Sequence, residues 1–123
     1  MKNITVCINP HRDSDFKKTK EIKNFLAKNG IEPYFCLLFA PPKESVLPDD
    51  IVFSSIVEVL PLSSLLICLG GDATILHTAR IAAVNHVPIL GINTGHVGFM
   101  ADMEWEEYPH ILDFVAGRYT IDT

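Results

Sequence analysis

The stretch at residues 65–80, LLICLGGDATILHTAR, decides the fold of this chain. Its five apolar residues, 65–69, are followed by Gly70, Gly71 and the acid Asp72, and then by apolar residues at helical spacing. This pattern predicts a buried strand, a tight turn and a helix. In open α/β sheets, ligands bind just beyond the carboxyl ends of the strands. The Gly-Gly-Asp turn is therefore the first candidate for a binding site.

Outward from this stretch, strand and helix patterns alternate in both directions along the chain. The predicted strands are residues 4–8, 33–39, 65–69, 87–92 and 118–121. The predicted helices are a helix capped by Asp13 or Ser14 and stopped at Asn29 and Gly30, and helices at residues 73–85 and 106–115. Residues 51–59 fit either a helix or a strand, and a short helix is favoured. Residues 40–50 are rich in Pro, Asp and Ser, and this composition predicts a mobile loop. Strand, helix and strand at this spacing indicate right-handed parallel crossovers, so the predicted class is α/β with an open, mainly parallel sheet flanked by helices.

Composition excludes several classes of protein. A chain of 123 residues, 48% hydrophobic and 20% charged, is typical of a soluble domain with its own core. The net charge of −5 offers no basic surface for nucleic acid, and no apolar run is long enough to span a membrane. Cys7, Cys36 and Cys68 lie inside apolar runs. Their odd number and lack of paired spacing predict reduced, buried thiols in a cytoplasmic protein.

Asp72 has two possible roles at the first turn. It is a candidate helix N-cap, and it is also a candidate functional acid that holds a metal ion bridging to phosphate or accepts the proton of an attacking hydroxyl. Gly70 and Gly71 allow a ligand close to the backbone, and the first N–H groups of a helix favour phosphate. His77, one helical turn on, is a candidate phosphate contact or a solvent-facing side chain. No histidine shows metal-ligand spacing, so no protein metal site is predicted.

A second glycine-bearing turn follows the next predicted strand. Asn93 and Thr94 supply hydrogen-bonding groups, Gly95 and Gly98 allow close approach to the backbone, and Phe99 offers a flat apolar face suited to a base. Alone, such a turn is more often an ordinary loop whose aromatic residue enters the core. Two such turns after neighbouring strands favour a shared cleft.

Together the two turns resemble the NAD kinase family. LGGDATILHTAR, residues 69–80, resembles that family's Gly-Gly-Asp-Gly-Thr motif, and GINTGHVGFM, residues 91–100, resembles its Gly-(Val/Ile)-Asn-x-Gly-x-Leu-Gly-Phe signature. The first motif is shared with 6-phosphofructokinases and with diacylglycerol and sphingosine kinases, whereas the second separates NAD kinases from them. The resemblance covers the whole chain and implies a single, Rossmann-like nucleotide-binding domain, similar to the amino-terminal domains of phosphofructokinases and diacylglycerol kinases.

The resemblance implies transfer of a phosphoryl group from ATP or polyphosphate, with Mg²⁺ or another divalent cation, to the adenosine ribose 2′-hydroxyl of NAD. By position, it makes Asp72 the acceptor of the hydroxyl proton and Phe99 a border of the adenosine pocket. His77 falls where many members carry a basic residue near the nucleotide. The residues implied on the phosphate side are Gly71, Ala73 and Thr74. The family also implies a homodimer or homotetramer.

Ala73 departs from the family pattern, which has glycine at this position. We expect Ala73 to adopt ordinary helical geometry, because a left-handed alanine would cost about 1–2 kcal/mol. The resemblance also implies a β-rich second domain, absent from residues 1–123, that makes most contacts to NAD, so this chain alone is expected to turn over little or nothing. Two alternatives stay open: a lipid or sugar kinase that shares the first turn, and a non-catalytic nucleotide-binding module in which Ala73 marks a decayed site.

Overall fold

The computed structural model describes residues 3–13, 15–94 and 103–115, and strands alternate with helices along them. The strands are β1 (Ile4–Ile8), β2 (Tyr34–Leu37), β3 (Leu65–Gly70), β4 (Ile89–Asn93) and β5 (Met103–Glu104). The α-helices are α1 (Lys17–Lys28), α2 (Ile56–Val59), α3 (Asp72–Val84) and α4 (Ile111–Val115). Within the same residues, 3₁₀ helices cover Leu60–Leu62 and Trp105–His110. This alternation confirms the predicted α/β class.

The strands form one sheet in the order β2-β1-β3-β4-β5, and each neighbouring pair is parallel. β3 is central, and all six of its residues are buried. A strand covered on both faces is apolar at every position rather than at alternate ones, which explains the continuous apolar run at residues 65–69. The predicted parallel sheet is confirmed over the described part of the chain.

Helices cover both faces of this sheet. Ile67 and Leu69 of β3 belong to a core cluster shared with α1 and α4, whereas Leu66 belongs to a cluster shared with α2 and α3. Successive residues of a strand point to opposite faces, so β3 supplies side chains to both clusters. The result is three layers, with α1 and α4 on one side of the sheet and α2 and α3 on the other.

Asp13 caps α1 as predicted, although it lies four residues before the helix begins. Its carboxylate oxygens accept hydrogen bonds from the backbone N–H groups of Lys18 (3.1 Å) and Thr19 (2.8 Å), and from the Thr19 hydroxyl (2.7 Å). Phe16, which is fully buried, lies between Asp13 and the first residue of α1 and has a left-handed backbone (φ 59°). The carboxylate of Asp13 therefore occupies the N–H groups at the amino end of α1.

The apolar spacing of this helix in the sequence predicts an inward stripe of Ile75, Leu76, Ala79, Ala82 and Ala83, and this prediction is partly wrong. Leu76 is 40% exposed, and Ala83 is exposed as well. The buried residues of the helix are Thr74, Ile75, Thr78 and Ala82. Two small residues of the sheet lie beneath α3: a β-carbon added to Gly91 would lie 3.0 Å from Ile75 Cγ2, and Cys68 Sγ lies 3.4 Å from Thr78 Oγ1. The helix therefore packs closely on the sheet there.

Two other predicted elements differ from the structure. The helix predicted at residues 51–59 is confined to α2, and Phe53 instead forms an isolated parallel bridge with Phe35. The helix predicted at residues 106–115 begins as a 3₁₀ helix that contains Pro109, and only α4 is α-helical. Proline lacks the N–H that an α-helix would need at that position. The strand predicted at residues 118–121 lies outside the described residues.

The three cysteines are buried and free, as predicted. They form a row across three neighbouring strands, because Cys7 is the register partner of both Cys36 and Cys68. A hydrogen bond shared with Cys36 and burial of the thiol both raise the pKa of Cys7. Burial raises the pKa of Cys68 to about 11. These thiols belong to the core, on the face covered by α2 and α3.

Candidate active site

The strand order places a crevice between the carboxyl ends of β1 and β3. From β1 the chain crosses over through α1 to β2 on one side, and from β3 it crosses over through α3 to β4 on the other. Loops that leave neighbouring strands in opposite directions open a crevice at this point, and ligands of doubly wound sheets bind there. Ile8 and Leu69 are register partners, so the residues just after them, Asn9 and Gly70, border the crevice.

Asp72 is the first residue of α3 and not its N-cap. Gly71 has the extended N-cap conformation (φ −94°, ψ −175°), and its carbonyl oxygen accepts the first helical hydrogen bond, from Ile75 N at 3.0 Å. The prediction that Asp72 is the N-cap is therefore wrong by one residue. Its half-buried carboxylate instead lies in the first turn, at the positive end of the helix dipole.

The two glycines of the turn differ in their surroundings. A β-carbon added to Gly70 would lie 2.7 Å from Cβ and 2.8 Å from Cγ2 of Thr74, so Gly70 permits close packing of α3 on β3. A β-carbon added to Gly71 would meet nothing within 4 Å. Open space for a ligand is thus found at Gly71, whereas the reason for glycine at position 70 is internal packing.

Thr74 is only 6% exposed, and its hydroxyl oxygen accepts a hydrogen bond from Asn9 Nδ2 at 3.0 Å. This bond joins the loop after β1 to the first turn of α3 across the crevice. Asn9 was not predicted as a site residue. A polar residue directly after a buried strand is the same signal that singled out Asn93, and it could have identified Asn9 too.

The end of β4 adjoins the end of β3, as predicted for a shared cleft. Asn93 is 1% exposed and is the register partner of Gly70, and Thr94 N donates to Gly70 O at 3.2 Å. The carbonyl oxygen of Thr94 accepts a hydrogen bond from Lys18 Nζ, which also lies 5.4 Å from the centroid of the Trp105 ring. The predicted site residues Gly95 and Phe99 lie outside the described residues.

Ala73 and His77 are exposed on α3. In the described part of the chain, the residues other than glycine with positive φ are Phe16 and His86, so Ala73 has the expected helical backbone. The His77 ring lies against Phe39, which follows β2, with ring centroids 5.4 Å apart. This contact gives the imidazole a defined position.

A cavity of about 650 Å³ lies beside the crevice, toward β2. Two carboxylates, those of Asp15 and Glu44, contribute to its lining together with His11 and Ser45. Nε2 of the His11 ring forms a hydrogen bond with the carbonyl oxygen of Ala40 at 2.8 Å, and this bond joins the loops after β1 and β2. Carboxylates repel phosphate, so the amino end of α3 is the more favourable place for an anion.

No group of three His, Cys, Asp or Glu side chains suited to a metal ion occurs in the described ranges 3–13, 15–94 and 103–115. Over the same ranges, the helices are too short or too polar for any of them to cross a membrane.

A family model described as the ATP-NAD kinase N-terminal domain matches residues 58–119. The chain belongs to this family. The matched range contains β3, α3, β4 and both glycine turns, whereas Asn9 and Phe39 lie before it. Membership confirms the resemblance that the two turns indicated.

Curated proteins named NAD kinase are similar to nearly the whole chain. The NAD kinase of Caldanaerobacter subterraneus subsp. tengcongensis is 34% identical over 123 residues, which cover 99% of this chain and 42% of the relative. That of Ruminiclostridium cellulolyticum is 35% identical over 104 residues, 85% of this chain and 35% of the relative. That of Cutibacterium acnes is 37% identical over 120 residues, 97% of this chain and 37% of the relative. The chain spans about two fifths of the length of these relatives.

Proposed function

We propose that the protein to which this chain belongs is an NAD kinase, which transfers a phosphoryl group from ATP or polyphosphate to the adenosine ribose 2′-hydroxyl of NAD. The observation that carries the proposal is the position of Asp72. It begins α3 at the topological switch point, directly after Gly71, where the backbone faces open space. A carboxylate at this position can accept the proton of an attacking hydroxyl while phosphates bind to the adjacent amino end of the helix.

In the proposed reaction, the 2′-hydroxyl oxygen forms a bond to the terminal phosphorus of the donor. The bond from that phosphorus to the bridging oxygen breaks, the shortened donor leaves, and Asp72 accepts the hydroxyl proton. The protein's contribution to such a transfer is mostly positioning and charge stabilisation. Gly71, Ala73 and Thr74 would line the phosphate side, since they form the turn and first helical residues beside Asp72.

The remaining predicted residues would border the substrates. Asn93, the register partner of Gly70, ends β4 at the crevice. Gly95, two positions later in the sequence, would border the substrates with it. His77, positioned by Phe39, would lie near the nucleotide, and Phe99 would border the adenosine. A divalent cation that accompanies ATP would be held mainly by phosphate oxygens and water, because Mg²⁺ needs only one or two protein carboxylates, and Asp72 would be one of these.

Ala73 is compatible with this function. Because its backbone is helical, alanine in place of the family's glycine costs no left-handed strain, and only its methyl group narrows the approach of phosphate. The match to the NAD kinase family favours this substrate over those of the lipid and sugar kinases. A homodimer or homotetramer is part of the proposal, and sedimentation of the natural polypeptide measures it.

The experiment is NADP formation from NAD, donor and Mg²⁺ by the natural polypeptide that contains this chain, compared with its Asp72→Asn variant. Loss of the proton acceptor is expected to lower kcat by about 10²- to 10⁴-fold. Urea unfolding should show little change in stability, and the affinity for NAD should stay within a few-fold. Asp49→Asn, which removes the same charge from an exposed loop position, is the matched control and should retain full turnover.

Two results would contradict the proposal. Near-normal turnover of Asp72→Asn would exclude Asp72 as the proton acceptor. If the natural polypeptide binds nucleotide but makes no NADP, it is a non-catalytic binding module. In that case Ala73→Gly is the first substitution to test for recovery of activity, because it restores the family residue.

A further inference from the structure

The hydrogen bonds around Thr74 determine where its hydroxyl proton can go. A hydroxyl has one proton to donate and two lone pairs that accept. The oxygen of Thr74 accepts from Asn9 Nδ2 at 3.0 Å, which uses a lone pair and leaves the proton available. Phosphate oxygens only accept hydrogen bonds, so a hydroxyl arranged in this way suits them.

The orientation of Asn9 is fixed by its second partner. Its Oδ1 atom accepts a hydrogen bond from the backbone N–H of His11 at 3.0 Å. A backbone N–H can only donate, so the amide oxygen must face His11 and the amide NH₂ must face Thr74. Asn9 therefore cannot rotate to accept the Thr74 proton without losing the bond to His11.

Thr78, one helical turn after Thr74, shows the usual alternative. Its hydroxyl donates to the carbonyl oxygen four residues earlier, Thr74 O, at 2.8 Å, as threonines in helices commonly do. The residue four positions before Thr74 is Gly70, which belongs to β3 and precedes the N-cap of α3, and its carbonyl oxygen accepts the N–H of Thr94 at 3.2 Å. The two buried threonines therefore differ: the Thr78 hydroxyl donates its proton to a carbonyl oxygen of the same helix, whereas the Thr74 hydroxyl accepts a hydrogen bond from Asn9.

We propose that Asn9 is a positioning residue for the phosphoryl donor. By donating to Thr74, it directs the Thr74 hydroxyl proton into the crevice beside Gly71 and Asp72, where a phosphate oxygen of ATP or polyphosphate accepts it. This proposal rests on the proposed function, since it assigns a donor-phosphate contact to the same site. Asn9 acts through Thr74 and needs no contact with substrate itself.

The test is a double-mutant cycle of Asn9→Asp and Thr74→Val in the natural polypeptide. A carboxylate has the shape of the amide and still accepts from His11 N–H, but it cannot donate, so the Thr74 hydroxyl must turn toward it. Asn9→Asp should raise KM for the phosphoryl donor about tenfold, with kcat and KM for NAD changed less than about threefold. In the Thr74→Val background, the same substitution should raise the donor KM by no more than about twofold to threefold, which measures the added charge alone.

Asn85→Asp is the control for the substitution itself, because Asn85 is exposed at the far end of α3, where its Nδ2 donates to Ile81 O at 3.1 Å. It should leave the donor KM unchanged. Urea unfolding of every variant separates a folding defect from a binding defect. Equal effects of Asn9→Asp with and without the Thr74 hydroxyl would overturn the proposal.

Binding of inorganic tripolyphosphate, measured by calorimetry, makes the result independent of activity. Weaker binding by Asn9→Asp that depends on the Thr74 hydroxyl supports the positioning role, even if the wild-type protein forms no NADP and the proposed function fails. If the wild-type protein forms NADP but Asn9→Asp changes neither donor KM nor tripolyphosphate affinity, the positioning role alone fails. Absence of tripolyphosphate binding by an inactive wild-type protein overturns both.

Discussion

Alanine substitutions at the adjacent glycines Gly70 and Gly71 should affect different properties: Gly70→Ala should lower stability, and Gly71→Ala should weaken binding of the phosphoryl donor. At Gly70 the new methyl group would lie 2.7 Å from Cβ and 2.8 Å from Cγ2 of Thr74. Carbon atoms prefer about 3.5–4.0 Å, so α3 or β3 must shift by roughly 0.8 Å, and the Cβ of Thr74 belongs to the helix and cannot rotate away. Overpacking of this kind costs about 1–3 kcal/mol.

Gly71→Ala is the matched control for this cost. Its methyl group would meet nothing within 4 Å, and its backbone angles suit alanine. Losing glycine stabilises a chain by about 0.4–1 kcal/mol through the unfolded state, whereas alanine is a poorer N-cap than glycine by a similar amount. The two effects roughly cancel. Gly70→Ala gains the same unfolded-state benefit, so it should be about 1–2 kcal/mol less stable than Gly71→Ala.

The assay is urea unfolding of both variants in the same polypeptide, with thermal unfolding as a second measure. A difference of 1 kcal/mol corresponds to about 4 °C in Tm for a domain of this size. The same variants should differ in the opposite direction in donor binding, because only the Gly71 methyl group enters the open space where phosphate is proposed to bind. Equal unfolding midpoints for the two variants would refute the packing argument, and an unchanged donor KM in Gly71→Ala would refute the assignment of that space to the donor.

Two further predictions concern the core and the start of α1. Asp13→Ala should lower the free energy of unfolding in urea by about 1–2 kcal/mol, because it removes three hydrogen bonds that Lys18 and Thr19 donate to the carboxylate. Asp13→Asn keeps one acceptor oxygen and should lower it less. An Asp13→Ala variant as stable as wild type would contradict the capping role. Burial raises the pKa of Cys68 to about 11, so between the ordinary thiol value of 9.0 and about 11 this thiol ionises in the unfolded chain and stays protonated in the folded chain. The free energy of unfolding should therefore fall as pH rises from 9.0 to about 11, by up to about 1.4 kcal/mol per pH unit, and Cys68→Ser should reduce this slope; an unchanged slope would argue against the buried thiol as its cause.

The class of the fold and the place of the candidate site could both be predicted from local sequence patterns. The run at residues 65–69 is apolar throughout because β3 is covered on both faces, and the Gly-Gly-Asp turn marks the change to α3. These are local patterns, set by hydrophobic periodicity and the conformational freedom of glycine, so they can be recognised without knowing what lies nearby. The same local motifs carried the resemblance to the NAD kinase family, which the family match confirmed.

How these local elements meet in space could not be predicted from those patterns. Asn9 and Thr74 are 65 positions apart, and they are brought together because β1 pairs with β3. The packing of α3 on β3 likewise separates Gly70, which is crowded by Thr74, from Gly71, which is open. Strand order and helix packing depend on contacts between distant segments, and alternating patterns of apolar residues do not specify which segments become neighbours.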